Sequence, residues 1–177
     1  MTSFLRSAGI AIVAVALGTM PAVAQAPLTG AIKGPGNADL GTITVTDAPG
    51  GVLLRVEATG LTPGWHAIHF HEKGTCDDAG FKASGAHVHA GKAPPVHGLL
   101  NPARKDNGDL PNLFAAADGS AKAEMFTPFV AMKGGGGGRL ALADADGSAV
   151  VIHANPDDYK TQPIGGAGDR IACAVIR

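Results

Sequence analysis

The chain contains 177 residues, of which 45% are apolar and 16% are charged, and its formal net charge is −1 at pH 7. This length is sufficient to bury a hydrophobic core, and the apolar fraction excludes an intrinsically disordered chain. The near-neutral charge argues against a nucleic-acid-binding protein, which usually carries a basic face. Seven histidines accompany one tryptophan and one tyrosine, so the positions of the histidines are the most informative feature of this composition.

Residues 1–24 are typical of a cleaved signal peptide. Arg6 is their only charged residue, an apolar run extends from Ile10 to Leu17, and Ala22-Val23-Ala24 forms a small-x-small cleavage pattern. The run is short for a membrane span, which needs about 20 residues, and an uncleaved N-terminal anchor is the alternative. We therefore expect a single mature domain of residues 25–177 that is periplasmic or secreted and has no membrane contact after cleavage.

Cys76 and Cys173 are the only cysteines. In an oxidising compartment a single pair most simply forms a disulfide. The closed loop would span roughly 100 residues and would contribute on the order of 4 kcal/mol to stability in the chain-entropy model. Two cysteines are too few for a four-cysteine zinc site.

Short segments of alternating or β-branched residues, separated by Gly, Pro, Asn and Asp, predict β-strands along the mature chain. No segment has the 3.6-residue period and the caps of a helix. Many short strands joined by glycine-rich turns favour a single all-β, antiparallel sandwich or barrel. The predicted strands are those around Ile43 and Val45, Val52 to Ala58, Trp65 to His71, Ala121 to Phe126, Ala149 to His153, and Ile171 to Ile176.

Histidines concentrate at the end of one predicted strand and in the segment that follows. Alternate residues of a strand share a face, so His69 and His71 can reach one ion, whereas His66 points inward. The segment from Glu72 to Pro111 resists strand assignment, and a loop of this length is usually functional. It carries imidazole and carboxylate donors that suit copper and zinc, namely His87, His89, His97, Asp106 and Asp109.

A further histidine, His153, ends the apolar strand Val150-Val151-Ile152, and Asp157 follows four residues later. A carboxylate that orients a ligating imidazole is a common arrangement around protein-bound metals. This pair is therefore a candidate extension of the same site.

Four motifs occur together in the mature chain, and each is modest alone. They are Gly64-Trp65-His66-Ala67-Ile68-His69-Phe70-His71-Glu72-Lys73-Gly74 with Cys76, Gly108-Asp109-Leu110-Pro111, Val150-Val151-Ile152-His153-Ala154-Asn155-Pro156-Asp157-Asp158, and Gly165-Gly166-Ala167-Gly168-Asp169-Arg170-Ile171-Ala172-Cys173. In this order they resemble the periplasmic copper–zinc superoxide dismutase family. The resemblance implies an eight-stranded antiparallel Greek-key barrel or sandwich, with a long metal-binding loop and an electrostatic loop.

The resemblance also implies an activity and two cofactors. Superoxide would be disproportionated to dioxygen and hydrogen peroxide at a copper ion that cycles between Cu(II) and Cu(I), with a zinc ion as its structural partner. His69, His71 and His153 match copper ligands, and a further histidine would bridge copper to zinc. Arg170 matches the arginine that attracts the anionic substrate beside copper.

Four more residues match supporting positions of the family. His66 matches a residue that supports the copper ligands, and Asp157 matches the carboxylate that links the two metal sites. Cys76 and Cys173 match the internal disulfide, which ties the long loop to the last strand.

The zinc side departs from the family's set of three histidines and one aspartate. The last of those histidines normally precedes the aspartate by three residues, and here that position, three before Asp109, is Asp106. Two assignments are open. In the first, His87 bridges the metals and His89 joins His97 and Asp109. In the second, His89 bridges, Asp106 is a ligand and His87 is peripheral. We favour the first.

A periplasmic copper- or zinc-binding protein on the same scaffold, with little dismutase activity, is the alternative function. A metal-free adhesive sandwich is a third interpretation, but it leaves the histidines unexplained. The family includes monomers and dimers, so the resemblance leaves a homodimer open as the oligomeric state.

Overall fold

The computed structural model describes residues 25–134 and 136–177, so the predicted signal peptide lies outside the described residues. Strands dominate, and the only helical segments here are three short 3-10 turns; no helix in these ranges is long and apolar enough to cross a bilayer. The strands are β1 (Leu28–Lys33), β2 (Asp39–Ala48), β3 (Gly51–Ala58), β4 (Gly64–His66), β5 (Ile68–His71), β6 (Leu113–Ala115), β7 (Ala121–Thr127), β8 (Val130–Ala131), β9 (Leu140–Ala141), β10 (Ser148–His153) and β11 (Arg170–Ile176).

Seven strands form one antiparallel sheet in the order β5-β10-β11-β1-β2-β3-β7. This sheet curls into a half-barrel, so the all-β antiparallel prediction is confirmed. Strand β4 precedes β5 by a single residue, Ala67, and pairs with β6. Strands β4 and β5 together cover the strand predicted from Trp65 to His71, and β8 and β9 form a separate two-stranded parallel pair.

The interior of the curled sheet is a continuous apolar core. Burial alternates along β3, because Val52, Leu54, Val56 and Ala58 are buried whereas the residues between them are partly or fully exposed. The neighbouring strands add Ile43, Ile68, Phe70, Val150, Ile152 and Ile176 to this core. Burial of about 25 cal/mol per Å² of apolar surface makes this cluster the main source of stability.

Four strands were not predicted: β1, β6, and the two-residue strands β8 and β9. Gly30 interrupts the apolar pattern of β1, and a side chain at that position would collide with the carbonyl of Val175 on β11. The close approach of β1 to β11 therefore requires a glycine at position 30, and this glycine breaks the apolar pattern by which the strand could have been predicted. Strand β6 has only three residues, and its Phe114 is exposed against Trp65 of β4 with ring centroids 5.0 Å apart.

The segment from Glu72 to Pro111 is a loop, as predicted, and its only helical piece is the 3-10 turn Lys82–Ser84. It folds back along β5, where the amide of Phe70 donates to the carbonyl of Gly108 and the amide of Val88 donates to that of Phe70, each at 2.9 Å. The predicted disulfide between Cys76 and Cys173 joins the loop to β11 across a sequence separation of 97.

Removing this cross-link has a measurable consequence. A double variant, Cys76→Ala with Cys173→Ala, is expected to lose about 2 to 5 kcal/mol of unfolding free energy, because the unfolded chain regains the freedom of a long loop. Guanidinium chloride unfolding of the metal-free protein measures this loss. Reduced wild-type protein is the control, since it keeps both sulfur atoms, and it should lose a similar amount. An unchanged unfolding free energy in both samples would contradict the expectation.

Candidate metal centre

Six of the seven histidines are buried, and four of them meet beside β5. The ligand atoms of this outer cluster lie within 4.8 Å of one another, and its members are His69, His71, His87 and His153. The strand places His69 and His71, the loop brings His87 opposite His71, and His153 ends β10. The register of β10 against β11 shifts between Ile152 and His153, and such irregularities commonly re-aim a side chain.

Each imidazole of the outer cluster binds the protein through one ring nitrogen and leaves the other free. His71 Nδ1 donates to the carbonyl of Gly85 at 3.0 Å, and His153 Nδ1 donates to that of Gly168 at 3.2 Å. His69 uses Nε2, and His87 uses Nδ1. The free nitrogens are buried and without hydrogen-bond partners, and they are His69 Nδ1, His71 Nε2, His87 Nε2 and His153 Nε2.

Four converging orphan nitrogens need an explanation, since an unsatisfied buried polar atom costs about 1 to 3 kcal/mol. Metal coordination supplies one, because a ligating histidine donates its other N–H to a carbonyl or carboxylate, which sets its tautomer. Burial, assisted by the nearby His87, lowers the pKa of His69 to about 3. Burial likewise lowers the pKa of His153 to about 4. These histidines are neutral at physiological pH, as a metal requires.

A second, inner cluster lies on the far side of His87. The ligand atoms of His69, His87, His97 and Asp109 lie within 4.8 Å of one another. Asp106 Oδ2 is 2.7 Å from His87 Nδ1 and 3.4 Å from His97 Nδ1. Asp109 Oδ1 is 2.7 Å from His97 Nδ1, yet it has no hydrogen-bond partner by angle. Both atoms belong to a group whose ligand atoms lie within 4.8 Å of one another, so one ion could contact both.

Charge is concentrated in the inner cluster. Burial alone would lower the pKa of His97, but contacts with Asp106, Asp109 and Asp157 raise it to about 11. Burial opposes ionisation of Asp106, but His87 and His97 hold the pKa of this carboxyl below its ordinary value. The pKa of Asp109 is raised by burial and by the charge of Asp106, against the influence of His97. The inner cluster therefore concentrates buried carboxylates whose negative charge a bound cation would offset.

Asp157 links the two clusters. Its carboxylate accepts hydrogen bonds from Nε2 of His69 and Nε2 of His97, each at 3.0 Å. Burial disfavours its charged form, but these two imidazoles keep the pKa of Asp157 below its ordinary value. Asn112 holds its backbone through two bonds of 2.9 Å, and a side chain at Gly165 would collide with its carboxylate.

Two sequence candidates lie outside both clusters. His66 is buried, and its ring nitrogens lie 2.7 Å from the carbonyl oxygens of His153 and Thr62. It therefore stabilises the end of the strand that carries His153. His89 is directed away from the inner cluster, because its Nδ1 donates to the carbonyl of His87 at 2.7 Å. The structure thus brings Asp106, and not His89, against His87 and His97.

Arg170 begins β11 and is partly exposed at the edge of the outer cluster. Its guanidinium donates to the carbonyl of Phe81, to Oγ of Ser84 and to the carbonyl of Gly85, at 2.8 to 3.0 Å. Gly85 also accepts the hydrogen bond of His71, so one carbonyl connects the arginine to a candidate ligand. Arg170 lines a surface cavity of about 650 Å³ together with Lys82.

Sequence reasoning missed the residues that support these side chains. Asn112 lies directly after Pro111, the last residue of the second motif, and Gln162 exchanges hydrogen bonds with the backbone of His97 at 2.8 and 2.9 Å. Both act on main-chain groups, and the partners of a backbone carbonyl leave no pattern in a single sequence. The adjacency of Asn112 to a recognised motif was the only signal available.

Comparison with known proteins agrees with this geometry. The sequence model of the copper/zinc superoxide dismutase family matches residues 40–176. A protein named superoxide dismutase [Cu-Zn] from Caulobacter vibrioides is 63% identical over 149 residues, which is 84% of each chain. Another of that name from Legionella pneumophila is 34% identical over 180 residues, covering 98% of this chain and 100% of that one.

Solved structures lead to the same family. A double mutant of a SOD-like protein from Bacillus subtilis matches with a TM-score of 0.77 at 34% identity, covering 84% of this chain and 95% of the other. The Cu/Zn superoxide dismutase from Brucella abortus matches with a TM-score of 0.68 at 29% identity, covering 86% and 100%. The chain, with its curled antiparallel sheet and its paired histidine clusters, therefore belongs to the copper/zinc superoxide dismutase family.

Proposed function

We propose that this chain disproportionates superoxide at a copper ion held by the outer cluster, His69, His71, His87 and His153. One observation carries the assignment: four buried ring nitrogens without protein partners converge within 4.8 Å. An all-imidazole set suits copper. When bound, copper supplies two oxidation states, through which two superoxide anions and two protons become one dioxygen and one hydrogen peroxide.

We further propose that a zinc ion is held by His87, His97, Asp106 and Asp109. His87 serves both clusters, because its Nε2 faces the outer one while its Nδ1 faces Asp106. This set keeps the bridging His87 of the assignment favoured from the sequence but replaces His89 with Asp106. The replacement is supported by the carbonyl bond that holds His89 away from the cluster.

The chain's own residues would contribute charge and a proton site to the reaction. Arg170 places a fixed positive charge at the mouth of the outer cluster, where a small anion can approach it. Its three hydrogen bonds hold the guanidinium in place and leave its remaining N–H groups free to bind the anion. Nε2 of His87 can hold a proton, because no other protein group is bonded to it.

The N-terminal segment and the disulfide support a proposal about the compartment in which the protein acts. We propose that residues 1–24 direct export and are removed, leaving a domain of residues 25–177 in the periplasm or outside the cell. The Cys76–Cys173 bond supports an oxidising compartment.

A variant that lacks one ligand of the outer cluster can distinguish copper binding there from zinc binding in the inner cluster. His71→Ala deletes an outer ligand without touching Asp157 or the inner carboxylates. We expect copper affinity to fall by 100-fold or more and turnover to fall with it, while zinc is retained. Elemental analysis and direct measurement of superoxide decay test this.

His89→Ala is the matched control for His71→Ala and should keep both metals and full turnover. Unchanged turnover in His71→Ala would refute the copper assignment. One equivalent of copper in the wild type without turnover would favour the alternative, a metal-binding protein with little dismutase activity.

A second prediction concerns the arginine at the mouth. Arg170→Ala is expected to lower kcat/KM for superoxide by about tenfold or more and to weaken its dependence on ionic strength, because local steering of the anion is lost. Copper and zinc contents should stay as in the wild type. Arg55→Ala, which removes an exposed charge on β3, is the control. Equal salt dependence in Arg170→Ala and wild type would contradict the role.

Export gives a third prediction for this protein. Expressed with all 177 residues in a Gram-negative host, the chain should appear in the periplasmic fraction with Gln25 as its first residue. Intact-mass spectrometry of that fraction checks the cleavage point, and cleavage after Ala26 is the near variant. A full-length chain retained in the membrane fraction would contradict the proposal and support the anchor alternative.

A further inference from the structure

The two clusters differ in the chemistry of their donors. The outer cluster offers four imidazole nitrogens, whereas the proposed zinc set offers two imidazoles, from His87 and His97, and two carboxylates, from Asp106 and Asp109. All of these side chains are buried. The chain therefore presents two distinct donor sets that share one histidine.

The two inner carboxylates have the same arrangement. Asp106 accepts the amide of Gly108 on Oδ1 at 2.9 Å and turns Oδ2 towards the imidazoles. Asp109 accepts the amide of Gly98 on Oδ2 at 2.9 Å and leaves Oδ1 without a hydrogen bond. Each carboxylate thus has one oxygen fixed by the backbone and one oxygen directed at the inner position, which is the geometry of a single-oxygen metal ligand with outer support.

Asp106 is held in this position from outside the cluster as well. The guanidinium of Arg104 donates to its backbone carbonyl and stacks 3.6 Å from the centre of the Phe129 ring. Gly108, which supplies the amide to Oδ1, fits only without a side chain, because a Cβ would collide with the carbonyl of Phe70.

We infer that Asp106 shifts the preference of the inner position further towards zinc over copper than the histidine usual at this position in the family would, an inference that rests on the proposed function. Copper(II) binds more tightly than zinc to most donor sets, so selectivity has to come from the type and geometry of the ligands. Imidazole ligands bind copper(II) much more tightly than zinc, whereas a carboxylate ligand reduces the difference between the affinities for the two metals. With Asp106 in the set, the chain directs copper to the four imidazoles and leaves the mixed set to zinc.

The test is a competition between the two metals. Metal-free protein is incubated with buffered Cu²⁺ and Zn²⁺ at equal free concentrations and desalted, and its metals are counted by elemental analysis. Asp106→His is expected to raise the copper-to-zinc ratio of the inner position by about tenfold, since it replaces a carboxylate with an imidazole. EPR gives a second readout, because two copper ions joined through His87 would couple and lose signal intensity.

Two further variants keep the test decisive. Asp118→His, on an exposed turn, controls for copper bound by an added surface histidine and should leave the ratio unchanged. Asp106→Glu keeps the carboxylate and should also keep the wild-type ratio. If Asp106→His is poorly folded by circular dichroism, Asp106→Asn replaces it, and inner zinc affinity is expected to fall tenfold or more.

A wild-type ratio in a folded Asp106→His protein would overturn the inference, as would unchanged zinc affinity in Asp106→Asn. Either result leaves the proposed function intact as long as the same wild-type samples bind copper in the outer cluster and turn over superoxide. Loss of those wild-type properties would instead refute the proposed function, so the two failures are distinguishable.

Discussion

His87 contributes both of its ring nitrogens to the site, and the rest of the arrangement follows from that. Nε2 is free within the outer cluster, and Nδ1 lies against Asp106 of the inner one. A buried imidazole in this position has to be oriented closely, and the loop does so by hydrogen-bonding Val88 to Phe70 of β5. The sheet supplies the fixed histidines, and the loop supplies the one that joins the two clusters.

The sequence predicted the parts that depend on local pattern. The two-residue period predicted that His69 and His71 would share a face, and the lone cysteine pair predicted the bond that ties the loop to β11. The sequence could not tell which of His89 and Asp106 faces His87 and His97, because the direction of His89 depends on its hydrogen bond to the carbonyl of His87, which leaves no sequence pattern. Strands β1 and β6 were missed because one contains a glycine and the other has only three residues.

The same loop positions both Arg170, at the edge of the outer cluster, and the buried histidine His71 within it. Arg170 is anchored on the carbonyls of Phe81 and Gly85, and Gly85 also receives His71. The disulfide joins Cys76 of this loop to Cys173, three residues after Arg170. The positive charge at the entrance and a free nitrogen inside are therefore positioned by one short stretch of backbone, which explains why a long loop can stay ordered here.

Asp157 makes the two clusters thermodynamically dependent on each other. One carboxylate orients His69 in the outer cluster and His97 in the inner one. An ion that orders either imidazole also orders the carboxylate, so the second ion finds its ligand already placed and loses less conformational entropy on binding. Because such coupling is reciprocal, filling either cluster would raise the affinity of the other by the same factor, so each metal would be held more tightly when its neighbour is present, although either could bind alone.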